Sequence, residues 1–258
     1  MRVLLKAIAW NFCAYVTRPF ELGLSLLAAV LNNLLFVYGI YLMASLSASA
    51  DWNLRQPFLI MSGVLVTAWG MVNLLLGGLD DLGDYIACGK FDAFLATPQH
   101  PLLLMATFNN SLAIMGLAEL LQGLAVISYL GYQQGGLLAI KLLLAVIPSA
   151  IALLSTLIIA GTSAFFVQSG NHLAFALSRL LMFMSLFPVS ALLNGKERIL
   201  IYVTPILMTA HLPLQYINTG NIIWLVLALG SSLLLLLGAL ALFNLGRRRY
   251  QTANWIGI

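Results

Sequence analysis

Few residues in this chain could do acid–base, metal or nucleophile chemistry, and their spacing suits none of the recurrent sites. His100, His172 and His211 lie far apart, without the spacing that brings two imidazoles onto one metal. Cys13 and Cys88 form neither a Cys-x-x-Cys pair nor a disulfide framework. Leu82-Gly83-Asp84 follows Asp80 and Asp81 but lacks the first glycine of the Gly-x-Gly-Asp motif of intramembrane aspartyl proteases. The phosphate-cradling Gly-x4-Gly-Lys-Ser/Thr loop, His-Glu-x-x-His and Gly-x-Ser-x-Gly are all missing. No catalytic, cofactor-binding or metal-ligating residue is expected, and the chain is not read as an enzyme. A membrane enzyme whose groups converge only in three dimensions stands as the weakest alternative.

Two ionisable residues fall inside long apolar runs. Glu119 has Asn109, Asn110 and Gln122 as sequence neighbours, and Arg179 follows His172 by about two helical turns. A charge at membrane depth is costly and marks a candidate functional site. The structural reading is a neutral Glu119 bonded within a bundle and an Arg179 that snorkels to the headgroups. It is preferred here, because a proton-coupled carrier would want more intramembrane carboxylates or histidines.

The stretch 80–101 is the best candidate for a partner. Asp80, Asp81 and Asp84 suit the start of a helix, and Tyr85, Ile86, Phe91, Phe94 and Leu95 supply an apolar face. Four aspartates against one lysine, Lys90, make it acidic. A solvated connector would need fewer aromatics, so the pattern predicts docking on a soluble partner.

The elements that hold these residues follow from composition. The chain is 62% hydrophobic and 8% charged, with mean hydropathy +1.00, against roughly a quarter charged in soluble domains. Its surface must face lipid or other apolar helices, which predicts an all-α integral membrane protein in a single domain. Nothing in the sequence points to nucleic acid. Spanning-length apolar runs cover 22–46, 59–79, 102–129, 137–167, 172–192 and 222–245, giving about six transmembrane helices. Gly63, Gly70 and Gly77 recur every seven residues in the second, and Gly230, Ser231, Gly238 and Ala241 share a face of the last. Small residues let helix backbones approach closely, so both faces are expected to pack on neighbours.

An even number of spans puts both ends on one side. Seven of the twelve cations (Arg2, Lys6, Arg18, Lys90 and Arg247 to Arg249) fall on that side, and Arg55, Lys141, Lys196 and Arg198 fall opposite. The positive-inside rule places both termini in the cytoplasm. Residues 1–21 mix Leu4, Leu5, Ile8 and Phe12 with Arg2, Lys6 and Asn11 at helical period. This suits an interfacial helix, or else the first turns of the first span. It is not read as a cleavable signal, because Asn11 and Arg18 break its apolar run. Within 194–221, the apolar 199–210 is interrupted by Pro205 and closed by Pro213. About 12 apolar residues are too few to span, leaving a re-entrant segment before the last span or an outer loop with apolar cover.

Three stretches carry a resemblance. The first is Gly83-Asp84-Tyr85-Ile86-Ala87-Cys88-Gly89-Lys90-Phe91-Asp92-Ala93-Phe94-Leu95-Ala96-Thr97-Pro98. The second is Phe187-Pro188 with Thr204-Pro205 and Leu212-Pro213, and the third is the tail Gly246-Arg247-Arg248-Arg249-Tyr250-Gln251. In this order, with six spans, the chain resembles the permease subunits of ABC-2 type ATP-binding-cassette transporters. It has Ala-Thr-Pro where relatives often have Leu-Arg-Pro.

The resemblance implies a permease of an ABC-type exporter in a bacterial inner membrane, with a cytoplasmic tail at 246–258. It would dimerise with a second copy or a paralogue among membrane lipids. Separate ATP-binding-cassette ATPase subunits would carry Mg-ATP, so the chain itself would hold no cofactor. The cytoplasmic loop 80–101 would couple to them, which makes Asp84, Tyr85, Phe91, Asp92 and Phe94 the candidate contacts, the aromatics as buried anchors. Glu119 and Arg179 remain the intramembrane polar candidates. The rival is a stand-alone secondary carrier or channel coupled through Glu119.

Overall fold

The computed structural model describes residues 19–46, 55–108, 113–167 and 204–250, together with Thr17 and parts of 172–180. The expected interfacial helix, most of the expected fifth span, and the segments with Lys196, Arg198 and Phe187-Pro188 lie outside the described residues. The helices are α1 (Pro19–Leu46), α2 (Arg55–Leu76), α3 (Leu82–Ala87), α4 (Phe91–Leu95), α5 (Pro101–Thr107), α6 (Ala113–Gln134), α7 (Gly136–Thr162), α8 (Leu212–Thr219) and α9 (Ile222–Arg249). Tight 3-10 turns cover Gly77–Leu79 and Ser163–Phe165, and a wide π turn covers Leu207–His211. No strand occurs among the described residues.

Among the described residues four runs are long and apolar enough to cross a bilayer: Leu59–Ala87, Ala113–Gln134, Gly136–Phe165 and Ile222–Arg249. The all-α membrane class follows directly. α1, at 28 residues, reaches about 42 Å at 1.5 Å per residue. Of its described side chains only Ala29 is buried.

α2 and α6 form the tightest pair, and glycine is the reason. A Cβ on Gly70 would fall on the backbone nitrogen of Leu120, one on Gly116 on that of Leu74, and one on Gly123 on Thr67. Gly63 meets the Val126 side chain, where a Cβ would lie 3.1 Å away. In lipid, such close approach replaces the hydrophobic drive with dispersion contacts. Gly63 and Gly70 therefore pack on α6 as their spacing suggests, while Gly77 falls in the turn after α2.

The stripe on the last span does not. Gly230, Gly238 and Ala241 are exposed and Ser231 is half-buried, and a Cβ on Gly230 or Gly238 would meet nothing within 4 Å. α9 instead buries Leu225, Ala228, Ser232, Ala239, Phe243 and Gly246. Periodicity defines a small-residue face but not whether this chain covers it.

Two boundaries also differ from expectation. The apolar run 102–129 is not one helix: α5 ends at Thr107, and Phe108, extended at φ −76° and ψ 127°, breaks it ahead of α6. Hydropathy registers apolar content and misses this break. At the other end α6 runs on to Gln134, since Gly135 alone, at φ 102°, makes the turn into α7. Glutamines can stay helical where a span meets water; only the positive φ demands glycine.

α7 carries Pro148 in its interior. The proline lacks an N–H for the Leu144 carbonyl one turn before it. Beside it, Ser149 Oγ shares its one hydrogen between Ala145 O at 3.0 Å and Thr209 O at 2.9 Å. Thr209 thus sits halfway along α7. From there the chain runs through α8 to Gly220, where a Cβ would lie 3.0 Å from Lys141 Nζ, near the start of α7. The ammonium group beside the α8 C-terminus complements its helix dipole. Thr209, Ala210, Tyr216 and Ile217 are buried on this path.

Candidate functional site

The site is built where α2 ends. Gly77–Leu79 turns the chain, and Gly78 packs on the Met105, Ala106 and Phe108 carbonyls of α5 and its cap. α3 then buries Leu82 and Ile86 and exposes Asp84 and Ala87. Leu82 lies so close to Gly161 of α7 that a Cβ there would come within 2.7 Å of it. Gly89, at φ 70°, reverses the chain into α4.

α4 buries Phe91 completely and Phe94 to 6% exposure. Phe91 meets Phe165, Phe243 and Tyr250 edge-on, with ring centroids 5.3, 6.1 and 5.1 Å away. Phe94 meets Tyr85 at 5.4 Å and Phe108 at 5.3 Å. Aromatic pairs at these distances contribute about 0.5–1.5 kcal/mol each beyond area burial. The stretch 80–101 is therefore a compact platform clamped to the ends of α7 and α9.

This changes the roles of the expected contacts. Asp84 is exposed and Tyr85 half-buried, as surface residues would be, while Phe91 and Phe94 spend their rings inside this chain. They offer no anchor to another protein. The outward edge is Asp84, Ala87, Cys88, Lys90, Ala93, Leu95 and Ala96. An amphipathic segment shows that it has an apolar face; the bundle end nearest to it takes that face first.

Asp92 is half-buried, with Oδ1 out of contact with solvent, and so is the hydroxyl of Tyr250. Desolvation on burial pushes the Tyr250 phenol up to about 12, reinforced by the nearby Asp92 charge. Neither oxygen has a hydrogen-bond partner among the described residues. Beside them Gly246 packs on the Phe165 ring, which a Cβ would strike.

The intramembrane polar residues are placed differently. Glu119 is buried, and its Oε2 accepts from Asn73 Nδ2 on α2 at 2.8 Å. The expected neighbours Asn109 and Asn110 lie outside the described residues. Asn73, the only amide between 57 and 90, is the partner that sequence reasoning missed; its isolation in an apolar run was the signal. Arg179 does not extend freely toward headgroups. Its Nη2 donates to Asp80 Oδ2 at 2.6 Å, with side chains 39% and 10% exposed respectively. Its guanidinium also lies 5.0 Å from the Phe175 ring and 6.0 Å from that of Trp69, within cation–π range.

No curated protein and no solved structure matches the chain. The model of the family described as ABC-2 family transporter protein does match, over residues 27–254. That range takes in the clamped 80–101 platform and the Tyr250 contact, and it covers nearly all of a helical membrane bundle, so this chain belongs to the ABC-2 transporter family as its membrane component.

Proposed function

We propose that the chain is the permease subunit of an ABC-type exporter, driven by separate ATPase subunits that dock on the 80–101 platform. The observation that carries this reading is the build of the platform. Its apolar side is consumed by the bundle, and its outer edge sets small residues (Ala87, Ala93, Ala96) between Asp84 and Lys90, suited to a second protein. The sequence has no phosphate-binding loop of its own, so Mg-ATP belongs to the partner, and this chain supplies none of the nucleotide chemistry. Closure of the ATPases would push the platform, and α7 and α9, clamped to it, would carry the displacement into the membrane.

Two permeases, identical or paralogous, would form the path between them among membrane lipids. The cytoplasmic membrane of a bacterium, with the platform and both termini inside, fits the cation distribution. The 204–219 segment, lying from mid-depth of α7 to its first turns, fits a re-entrant element on the outer side. Its backbone is packed on protein, as membrane depth requires.

The test is co-purification of an ATP-binding-cassette ATPase with this chain from detergent-solubilised membranes. Ala87→Trp and Ala93→Trp change the outer edge without touching the buried rings. Each should weaken capture about tenfold or more, as blocked interface centres do. Wild-type capture and transport by both variants would remove the platform from the coupling role.

A further inference from the structure

The platform begins at Asp80, and this residue is held differently from the rest of it. Its backbone N–H donates to Gly77 O at 3.1 Å, closing the turn after α2. Gly78 in that turn packs on the carbonyls of α5. Asp80 therefore stands on fixed backbone at the root of the platform. Its carboxylate, 10% exposed, accepts from the Arg179 guanidinium at 2.6 Å, across 99 residues of sequence.

Arg179 belongs to the helical part of 172–180, the described start of the fifth apolar run. Phe175 lies one turn before it on the same face, with its ring 5.0 Å from the guanidinium. The buried Trp69 ring of α2 lies 6.0 Å away. One ring from its own helix, and one ring and one carboxylate from the α2 end, fix how the guanidinium is presented.

Stability alone does not account for this pair. An ion pair taken out of water gains little over apolar groups of similar size, because desolvation offsets the attraction. An arginine 39% exposed could instead turn toward headgroup water. What the pair adds is direction. A charge-assisted bond to a planar guanidinium sets geometry, whereas apolar burial of the kind that clamps Phe91 is largely non-directional.

We propose that Arg179 is a positioning residue for coupling: through Asp80 it ties the start of the fifth apolar run to the root of the platform. Displacement of the platform then reaches that helix as well as α7 and α9. The inference rests on the reading of the platform as the ATPase-facing element, and it names a joint through which that element acts.

The experiment uses the full chain reconstituted with the ATP-binding-cassette ATPase that co-purifies with it. One preparation carries a fluorescent label on native Cys88 after Cys13→Ser; another carries it on Leu173→Cys with both native cysteines replaced. Cys88 is exposed on the platform, and Leu173 is exposed on the same helical part as Arg179. In the wild type both labels should respond to ATP. Arg179→Gln and Asp80→Asn should each leave the Cys88 response in place and reduce the Leu173 response about tenfold, the size expected for one charge-assisted bond. Asp80→Leu combined with Arg179→Met leaves no charge of the pair stranded. It should melt with the wild type while its Leu173 response stays low.

A wild-type Leu173 response in that paired variant would show that packing carries the displacement, and would overturn the role of Arg179. Unchanged Leu173 responses in both single variants, or equal losses at both labels, would overturn it too. These outcomes leave the platform's own role standing. A Cys88 label silent to ATP in the wild type would overturn the coupling reading, and this inference with it.

Discussion

At the level of single residues, the polar groups inside the bundle are tied to each other. The Glu119–Asn73 bond at 2.8 Å connects α2 to α6 where their backbones touch, which favours a structural role for Glu119. Glu119→Gln keeps an acceptor for the Asn73 amide and should leave ATP-driven transport intact. Glu119→Leu removes the acceptor and should cost about 1–3 kcal/mol, measured by thermal unfolding in detergent. Loss of transport by Glu119→Gln in a stable complex would revive the proton-coupled carrier. For the Asp80–Arg179 pair the two deletions should differ. Arg179→Gln strands a carboxylate that is only 10% exposed, whereas Asp80→Asn leaves an arginine 39% exposed and able to reach water. Melting temperatures should fall more for Arg179→Gln, and the reverse order would contradict the burial. Tyr250 gives a pH prediction. Its folded-state value of about 12 stands above the ordinary 10.0. The folded chain therefore holds the proton more tightly, and this contribution is complete below pH 10 and lost as pH rises toward 12. Alkaline titration should expose the 80–101 platform to protease in that window, and Tyr250→Phe should remove this step.

Helices and their seams set the next level. Gly70, Gly116 and Gly123 stand where a Cβ would meet backbone, which cannot rotate aside, whereas Gly238 faces open space. Gly70→Ala or Gly123→Ala should force α2 and α6 apart, at about 1–3 kcal/mol or more. Gly238→Ala should leave the isolated chain as stable as the wild type. Size-exclusion profiles of detergent extracts after a heating series would separate the two classes; equal tolerance would contradict the helix pairing. Phe91 belongs here as well, because it joins α4 to the ends of α7 and α9. Phe91→Ala should cost about 3–5 kcal/mol of stability, and loss of chain abundance should accompany any loss of ATPase capture. The Gly63 and Gly70 spacing was legible because close approach to α6 demands it. The orientation of Phe91 and Phe94 was not, because an apolar face carries no label for the surface that covers it.

For the whole molecule the structure groups residues by end. The 80–101 platform, the Ser163–Phe165 turn and the close of α9 lie together, and the Gly135 turn lies at the far end with Gly220 and Lys141. The positive-inside expectation makes the platform end cytoplasmic. In intact cells a membrane-impermeant thiol reagent should reach Tyr132→Cys, at a side chain 91% exposed, and should reach native Cys88 only after permeabilisation. Labelling of Cys88 in intact cells would invert the orientation.

Composition alone determined the solvent of this protein. With 8% charged residues no arrangement of the chain could cover its surface with polar groups, so the membrane class and helical structure were settled before any contact was known. Local sequence also determined the glycine seam of α2 and a platform at 80–101 with one apolar side. Tertiary structure decided which surface that side meets, that Glu119 is bonded to Asn73, that Arg179 pairs with Asp80, and that the Tyr250 ring packs on Phe91 across more than half the chain. Each of these joins segments whose sequence separation carries no pairing information, since an apolar ring or a lone carboxylate is compatible with many partners. Only the packing of the helix ends against one another selects among them.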